Sequence, residues 1–314
     1  MLFHYAPAPD FSALRSELDV AARELSGGDE LCVLYAERAV ELEGLAALVE
    51  ALGTPSFARL AARHFTAGTA GEAECARTRA DEWSRAGHGP ALEAAVRSDD
   101  RAHPDSLVNQ LSRHIGRLRL PVGIRVVDEL ASKAAIGDGV ILVRAGVALG
   151  AGEAQRIALH ELHGHMLPRL AARAQPLGLY RVGSAGSGAD EEGRALLIEE
   201  RAGLMQQSRR FELGLRHLAA LAVRSGVEAF DVVRELHSFG CPLPEAVAIY
   251  TRVARGGGLC RELTYVPGWQ RARDAFAEEP ELERWLEHGR ISIAAARRLR
   301  ALGDAPIAGP FASE

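Results

Sequence analysis

Residues 160–165 read His-Glu-Leu-His-Gly-His, and they follow an apolar, helix-compatible run, Ala151-Gly-Glu-Ala-Gln-Arg-Ile-Ala-Leu159. Two imidazoles on a helix, with a carboxylate beside the first, bring metal ligands and a general base within one reach, as zinc hydrolases do. In the usual signature the second histidine comes four residues after the first, and here that position is Gly164. At about 100° per residue, an i+3 partner lies roughly 60° from its mate and an i+5 partner roughly 140°. His163 therefore shares a regular helical face with His160, whereas His165 joins it only if the helix loosens. Gly164 permits loosening, because glycine weakens a helix and single wide turns occur at functional sites. On geometry alone both pairings stand. Three histidines near a helix end also suit its dipole without any metal.

A third ligand has a candidate source downstream. After the polar, glycine-rich Gly183-Ser-Ala-Gly-Ser-Gly-Ala-Asp190 comes Glu191-Glu-Gly-Arg-Ala-Leu-Leu-Ile-Glu-Glu-Arg-Ala202, which reads as a second helix opening on acids. A carboxylate from such a helix, added to two histidines, leaves a tetrahedral metal one position for water. Glu192, Ala195 and Glu199 fall on one helical face by their three- and four-residue spacing, enough for a ligand and an acceptor for a histidine N–H. Glu191 reads more simply as an acid suited to a helix N-terminus.

These stretches resemble a known family, the QEGLA-motif metallopeptidases, which include the microtubule-associated tyrosine carboxypeptidases. The resemblance rests on His160-Glu161-Leu162-His163-Gly164-His165-Met166-Leu167 and on Glu191-Glu192-Gly193-Arg194-Ala195, where Arg194 replaces the motif's leucine. Leu177-Gly-Leu-Tyr-Arg-Val-Gly183 is similar to the approach to that motif, and Arg255-Gly-Gly-Gly-Leu-Cys-Arg-Glu-Leu-Thr-Tyr265 to a shortened substrate-end segment. Tyr35–Leu42, Glu50–Leu60 and Leu286–Ile293 match outer segments, so the likeness runs from about residue 33 to the tail. It implies one Zn2+ per chain on His160, His165 and Glu192, with Glu161 as catalytic base. It also implies a zincin-like fold and trimming of peptides from the C-terminus. Tyr265 then becomes a candidate donor to the developing oxyanion, and Arg252, Arg255 and Arg261 candidate clamps for a terminal carboxylate. Two positions depart from the pattern: His163 stands where a small residue is usual, and Arg261-Glu262 replaces a Lys-Asp pair.

The rest of the chain agrees with an ordinary globular enzyme. Its 314 residues, 47% hydrophobic, suffice for one sizeable core. A net charge of −5 gives no electrostatic footprint for nucleic acid. Lys133 is the sole lysine, so positive charge is almost all arginine, a residue suited to bidentate carboxylate recognition. No stretch has signal-peptide character and none is apolar enough for a membrane span, which makes cytoplasmic residence the default expectation. Cys32, Cys75, Cys241 and Cys260 form no metal or redox pattern and read as reduced thiols, Cys260 being the one near the proposed site. His217, His237 and His288 lie singly on helical stretches and read as packing or surface residues.

Periodicity gives helices over 11–65, broken at Ser26-Gly-Gly-Asp and near Gly53-Thr-Pro, then a loop or irregular helix over 66–90. Val122–Asp128 and Gly139–Ala145 are short β-branched runs with 131–138 between them, either an edge for an extended peptide or a plain hairpin. Helices resume over 211–223, 227–237, 244–254 and 280–288, with Gly256-Gly-Gly as a turn or as flexible backbone beside an active site. The expected fold is therefore α+β, mainly α-helical, with a small β-sheet before the zinc helix. One catalytic domain spans 1–314, with 1–100 as a helical front and 101–314 as the zinc-site portion. The expected activity is that of a zinc carboxypeptidase removing a C-terminal residue, tyrosine or similar, from a peptide or protein. The rivals are a noncatalytic metal-binding protein on the same fold, and an endo- or aminopeptidase. No nucleic-acid or membrane partner is expected.

Overall fold

The computed structural model describes residues 5–89 and 95–307. Four helices come first, α1 (Ser12–Leu25), α2 (Glu30–Glu50), α3 (Phe57–His64) and α4 (Ala70–Arg85). Strand β1 (Val96–Arg97) and helix α5 (Leu107–Arg117) precede β2 (Gly123–Val127), β3 (Ala134–Ile136), β4 (Val140–Arg144) and β5 (Ala148–Leu149). Helix α6 (Ala151–Leu159) runs into a π-helical segment, His160–Met166, and on into α7 (Leu167–Ala172). The remainder is helical: α8 (Leu179–Val182), α9 (Ser187–Arg201), α10 (Gln207–Arg224), α11 (Ala229–Ser238), α12 (Leu243–Gly258), α13 (Tyr265–Glu278), α14 (Glu283–Glu287) and α15 (Ile293–Ala301). The chain is thus mainly helical with two small sheets, as the sequence predicts. No helix among the described residues is long and apolar enough to cross a membrane.

Several elements correct the sequence reading. Between the loop and the irregular helix open for 66–90, residues 70–85 form a regular helix, because Thr69 and Glu72 close a capping box and Ala76, Ala80 and Trp83 bury one stripe. Helix α9 starts at Ser187, not at the acids: Gly186, at φ +74°, supplies the turn into it, and Asp190 is buried within its first turn. Asp190 is held there by Arg271 and by the Ile293 amide. Helix α13 was hidden by Pro267-Gly268, but a proline in a first helical turn displaces no intrahelical hydrogen bond. The breaks at 26–29 and 53–55 fall as expected; the Asp29 carboxylate accepts from the Cys32 amide at 2.9 Å and starts α2.

The sheet also differs. The segment 131–138, read as a connection, contributes β3, which pairs antiparallel with β4 through Ala135 and Leu142. Strands β2 and β4 run parallel, Ile124 opposite Ile141, so the order is β2-β4-β3. Parallel neighbours need a crossover, and residues 128–139 supply it with β3 inside. Two of the three residues of Ala-Ala-Ile are alanines, which are depleted in strands, and pairing with β4 makes the segment a strand. Ile141 and Val143 of β4 are fully buried with Leu107 and Leu111 of α5, Ile157 of α6 and Leu162. That core fixes the sheet to the histidine-bearing helix and leaves β3 at the edge beside it.

On its other side, α9 packs against α13 with almost no spacing. A Cβ on Gly193 would lie 2.1 Å from the Gly268 carbonyl oxygen, and one on Gly268 would lie 2.4 Å from the Ala189 carbonyl oxygen. Neither approach leaves room for a methyl group, since the obstacles are backbone. Gly193→Ala is therefore expected to destabilise the fold by about 3 kcal/mol or more. Gly44→Ala, inside α2 with no atom within 4 Å of the new Cβ, is expected to stabilise it by about 0.5–1 kcal/mol. Urea unfolding of the two variants checks both; equal stability would refute the close-contact account.

Candidate metal centre

In a π-helix the hydrogen bond spans five residues, so the residue one turn beyond His160 is His165. The two Nε2 atoms face each other at 3.2 Å. His163 turns away, its ring meeting His114 edge-on at 5.8 Å between centroids. Burial, with His114, Arg194 and Arg117 nearby, pushes its imidazole down to about 4. The pairing that the regular helix favoured is therefore not formed. Gly164 explains the wide turn from the packing side: a Cβ there would lie 2.5 Å from Ala195 Cβ, so α9 rests on bare backbone of the segment.

Three carboxylates of α9 meet this segment. Glu199 accepts at 2.7 Å from His160 Nδ1, and Glu191 accepts at 2.7 Å from His165 Nδ1. Both imidazoles then carry their proton on Nδ1 and aim the Nε2 lone pair inward. Between them comes Glu192, its Oε2 at 3.4 Å from His160 Nε2 and 3.7 Å from His165 Nε2. That oxygen is buried and makes no hydrogen bond. Glu191 was expected to serve the helix dipole; it lies in the second turn and orients a histidine instead. Glu199 supplies the histidine acceptor that this helical face was expected to offer.

Two imidazole nitrogens and a carboxylate oxygen converging on one point fit a cation. Tetrahedral donors at the bond lengths zinc makes to nitrogen and oxygen lie about 3.3 Å apart, close to the separations found. His160, His165 and Glu192 have donor atoms within 4.8 Å of one another, and they are the one such cluster among the described residues. Charge agrees. Burial opposes ionisation of Glu192, but His165, His160 and Arg261 outweigh it and hold the carboxyl well below its usual range. Burial would lower the His160 imidazole, yet Glu192 and Glu199 raise it to about 9, so this point favours positive charge, a proton or a metal ion.

The trio opens onto a cavity of about 820 Å3 that also receives Glu161, Tyr265, Arg252, Arg255, Arg261 and the edge strand β3. The candidate metal, catalytic and substrate-binding residues of the sequence analysis thus reach one space. Their states differ. Glu161 is half-buried, and no ion pair with the described residues engages its carboxylate. Tyr265 is buried at the start of α13, where burial and then Glu192 raise its phenol, which stays protonated and able to donate. Arg261 donates to Glu192 Oε1 at 2.6 Å, leaving Oε2 for the trio. Arg252 donates to the buried Glu262 at 2.6 Å. Arg255 has no carboxylate partner among the described residues. Burial, followed by Arg252, lowers its guanidinium from the usual value.

Helix α10 adds residues that the sequence reading passed over. Glu199 takes Arg209 at 3.0 Å, Arg209 takes Glu212 at 2.8 Å, and Glu212 takes Arg216 at 3.1 Å. Arg216 lies over the Tyr265 ring at 5.2 Å and 3.6 Å from Glu262. One chain of ion pairs thus runs from behind His160 to Tyr265. The i, i+3, i+7 spacing of Arg209, Glu212 and Arg216 was the signal available for it. The remaining singled-out residues lie apart: His217 is buried and its imidazole is pushed down to about 4 by burial. His237 bonds the Cys241 carbonyl and His288 the Arg284 carbonyl. Burial pushes the Cys260 thiol up to about 11, the reverse of an activated nucleophile.

A family model described as "Microtubule-associated tyrosine carboxypeptidase" matches residues 3–310, nearly the whole chain. No curated protein matches it.

Since Ala195 presses on Gly164, Gly164→Ala should part α9 from the histidines and weaken metal binding by on the order of tenfold or more. Adding Ala195→Gly to that variant should restore most of the affinity by returning the space. Chelator competition on the three proteins measures this; no loss in the single variant, or no recovery in the double, would refute it.

Proposed function

The chain belongs to the microtubule-associated tyrosine carboxypeptidase family, and from that premise we propose that it is a zinc carboxypeptidase acting on peptide or protein C-termini. The observation that carries the metal is the unpartnered Glu192 Oε2 facing two oriented imidazoles. Zinc bound by His160, His165 and Glu192 would supply Lewis acidity to the attacking water and the scissile carbonyl. Glu161, unpaired and facing the same cavity, accepts the water's proton and passes it to the leaving amine. Tyr265 donates its hydroxyl to the oxygen on which charge develops. Glu199 and Glu191 hold the two imidazoles in the tautomer that ligation needs.

Substrate polarity follows from the cations. Arg255 is free to take a terminal carboxylate, while Arg252 and Arg261, anchored on Glu262 and Glu192, flank it with their remaining N–H groups. An extended peptide fits along β3, whose outer edge is unpaired among the described residues and which lines the cavity. The proposal treats 1–314 as one catalytic unit in which the helical front, 1–100, buttresses the site carried by 101–314.

About one zinc per chain is expected by elemental analysis of purified protein. Alanine at His160, His165 or Glu192 should abolish it, and His163→Ala should leave most of it. Full occupancy in all the ligand variants would overturn the metal assignment.

Glu161→Gln should retain zinc and lose activity by about 10^2-fold or more, because an amide keeps the shape but cannot accept a proton. Matched free-acid and C-terminally amidated peptides, with products identified by mass, decide the chain end. Loss of single C-terminal residues from the free acid alone is expected. Internal fragments or residues released from N-termini would point to the other peptidase classes, and intact peptides to a noncatalytic protein.

A further inference from the structure

Of the three candidate clamps, the one without a carboxylate partner among the described residues, Arg255, sits where α12 gives way to three glycines. Helix α12 breaks at Arg255 (φ −55°, ψ 152°), and Gly256, Gly257 and Gly258 follow with φ of +75°, +103° and +113°. Three successive glycines have the largest conformational freedom of any backbone. Within the turn the Arg255 carbonyl accepts from the Leu259 N–H and the Val253 carbonyl from the Cys260 N–H, both at 3.0 Å, and the Gly256 peptide between them takes its restraint from outside. The N-terminal end of the chain supplies that restraint. The Gly256 N–H donates to the Tyr5 hydroxyl at 2.5 Å, across 251 positions of sequence. The Gly256 carbonyl accepts from the Gly53 N–H at 3.4 Å. The Tyr5 ring lies against Gly53, where a Cβ would come within 2.9 Å of it, and the Phe57 ring fills the space where a Gly256 Cβ would stand. Both faces of the loop are thus clasped by residues from the helical front, and one phenol takes its otherwise unmet amide.

We propose that Tyr5 is a positioning residue for substrate recognition, fixing the Gly256 backbone and through it the Arg255 guanidinium that receives the terminal carboxylate. The inference rests on the reading of Arg255 as that clamp. The phenol does not touch substrate; it removes freedom from the loop before substrate arrives, so its loss weakens binding of a free carboxylate without altering the metal or the general base.

The test uses zinc-loaded protein carrying Glu161→Gln to prevent turnover, with Tyr5→Phe, Arg255→Ala or both added. Two measurements apply: calorimetric binding of a free-acid pentapeptide ending in tyrosine and of its C-terminal amide, and hydrogen exchange of the 256–258 amides. Tyr5→Phe is expected to speed exchange in the loop, keep the zinc, and weaken free-acid binding about fivefold while sparing the amide. Arg255→Ala is expected to weaken free-acid binding on the order of tenfold to a hundredfold, and Tyr5→Phe should add nothing to it. Unchanged exchange, equal weakening of acid and amide, or a full Tyr5 effect persisting without Arg255 would overturn the inference. If Arg255→Ala binds the free acid as tightly as the parent, the clamp reading itself fails. If Arg255→Ala weakens binding and Tyr5→Phe does not, only the role of Tyr5 fails.

Discussion

Burial of Glu191, Glu192 and Glu199 on a single helix is the constraint on which the rest of this site depends. Each desolvated carboxylate costs several kcal/mol unless it is paired, so a helix carrying three must be met by cations or donors along its length. The fold meets them from three directions. His160 and His165 come from the π-helical segment, Arg209 and Arg156 close on Glu199, and Arg261 closes on Glu192. Arg290 and Arg169 lie beside Glu191 at 3.5 and 3.7 Å and, with His165, overcome burial to hold its carboxyl down to about 2. What is left unmet is one oxygen, Glu192 Oε2, and that remainder defines the candidate metal position.

Such a helix has to approach its partners closely, and small residues make that possible on both sides. Ala195 against Gly164 sets the distance to the histidines, and Gly193 against Gly268 sets the distance to α13. The glycine after Glu192 is therefore a packing requirement of the ligand helix. The alanine two residues on is equally constrained, because its methyl already fills the gap left by Gly164. The π turn belongs to the same arrangement: with one extra residue in the turn, the bare backbone of Gly164 faces α9 while His160 and His165 share a side.

The cavity beyond the trio is cationic, lined by nine arginines and Lys133 against five glutamates. Most of these guanidiniums are already committed to buried acids, which turns them from free charges into scaffolding. The chain Glu199–Arg209–Glu212–Arg216 ties the orientation of His160 to the surroundings of Tyr265, so a change at one end is felt at the other. Arg255 stands outside that scaffolding, on a glycine-rich turn, with no carboxylate partner among the described residues.

The sequence by itself determined the helical class and the breaks at 26–29 and 53–55, and it pointed to the trio through family resemblance and to a helical face able to offer a histidine acceptor. These are local: periodicity, turn residues and motif spacing depend on neighbours a few positions away. It left open which histidine pairs with His160, because a regular helix and a π turn differ in energy by packing against α9, a contact thirty residues distant along the chain. It left 70–85 between loop and irregular helix and took 134–136 as a connection, where a capping box with a buried stripe and a pairing with β4 decided the outcome. It passed over α13, whose proline and glycine read as breakers until the first-turn position and the contact with α9 accounted for them. It also offered three equivalent arginines. Only the tertiary structure separated Arg252 and Arg261, neutralised by Glu262 and Glu192, from Arg255, because pairing between charges is set by distance in space, which spacing along a chain does not carry.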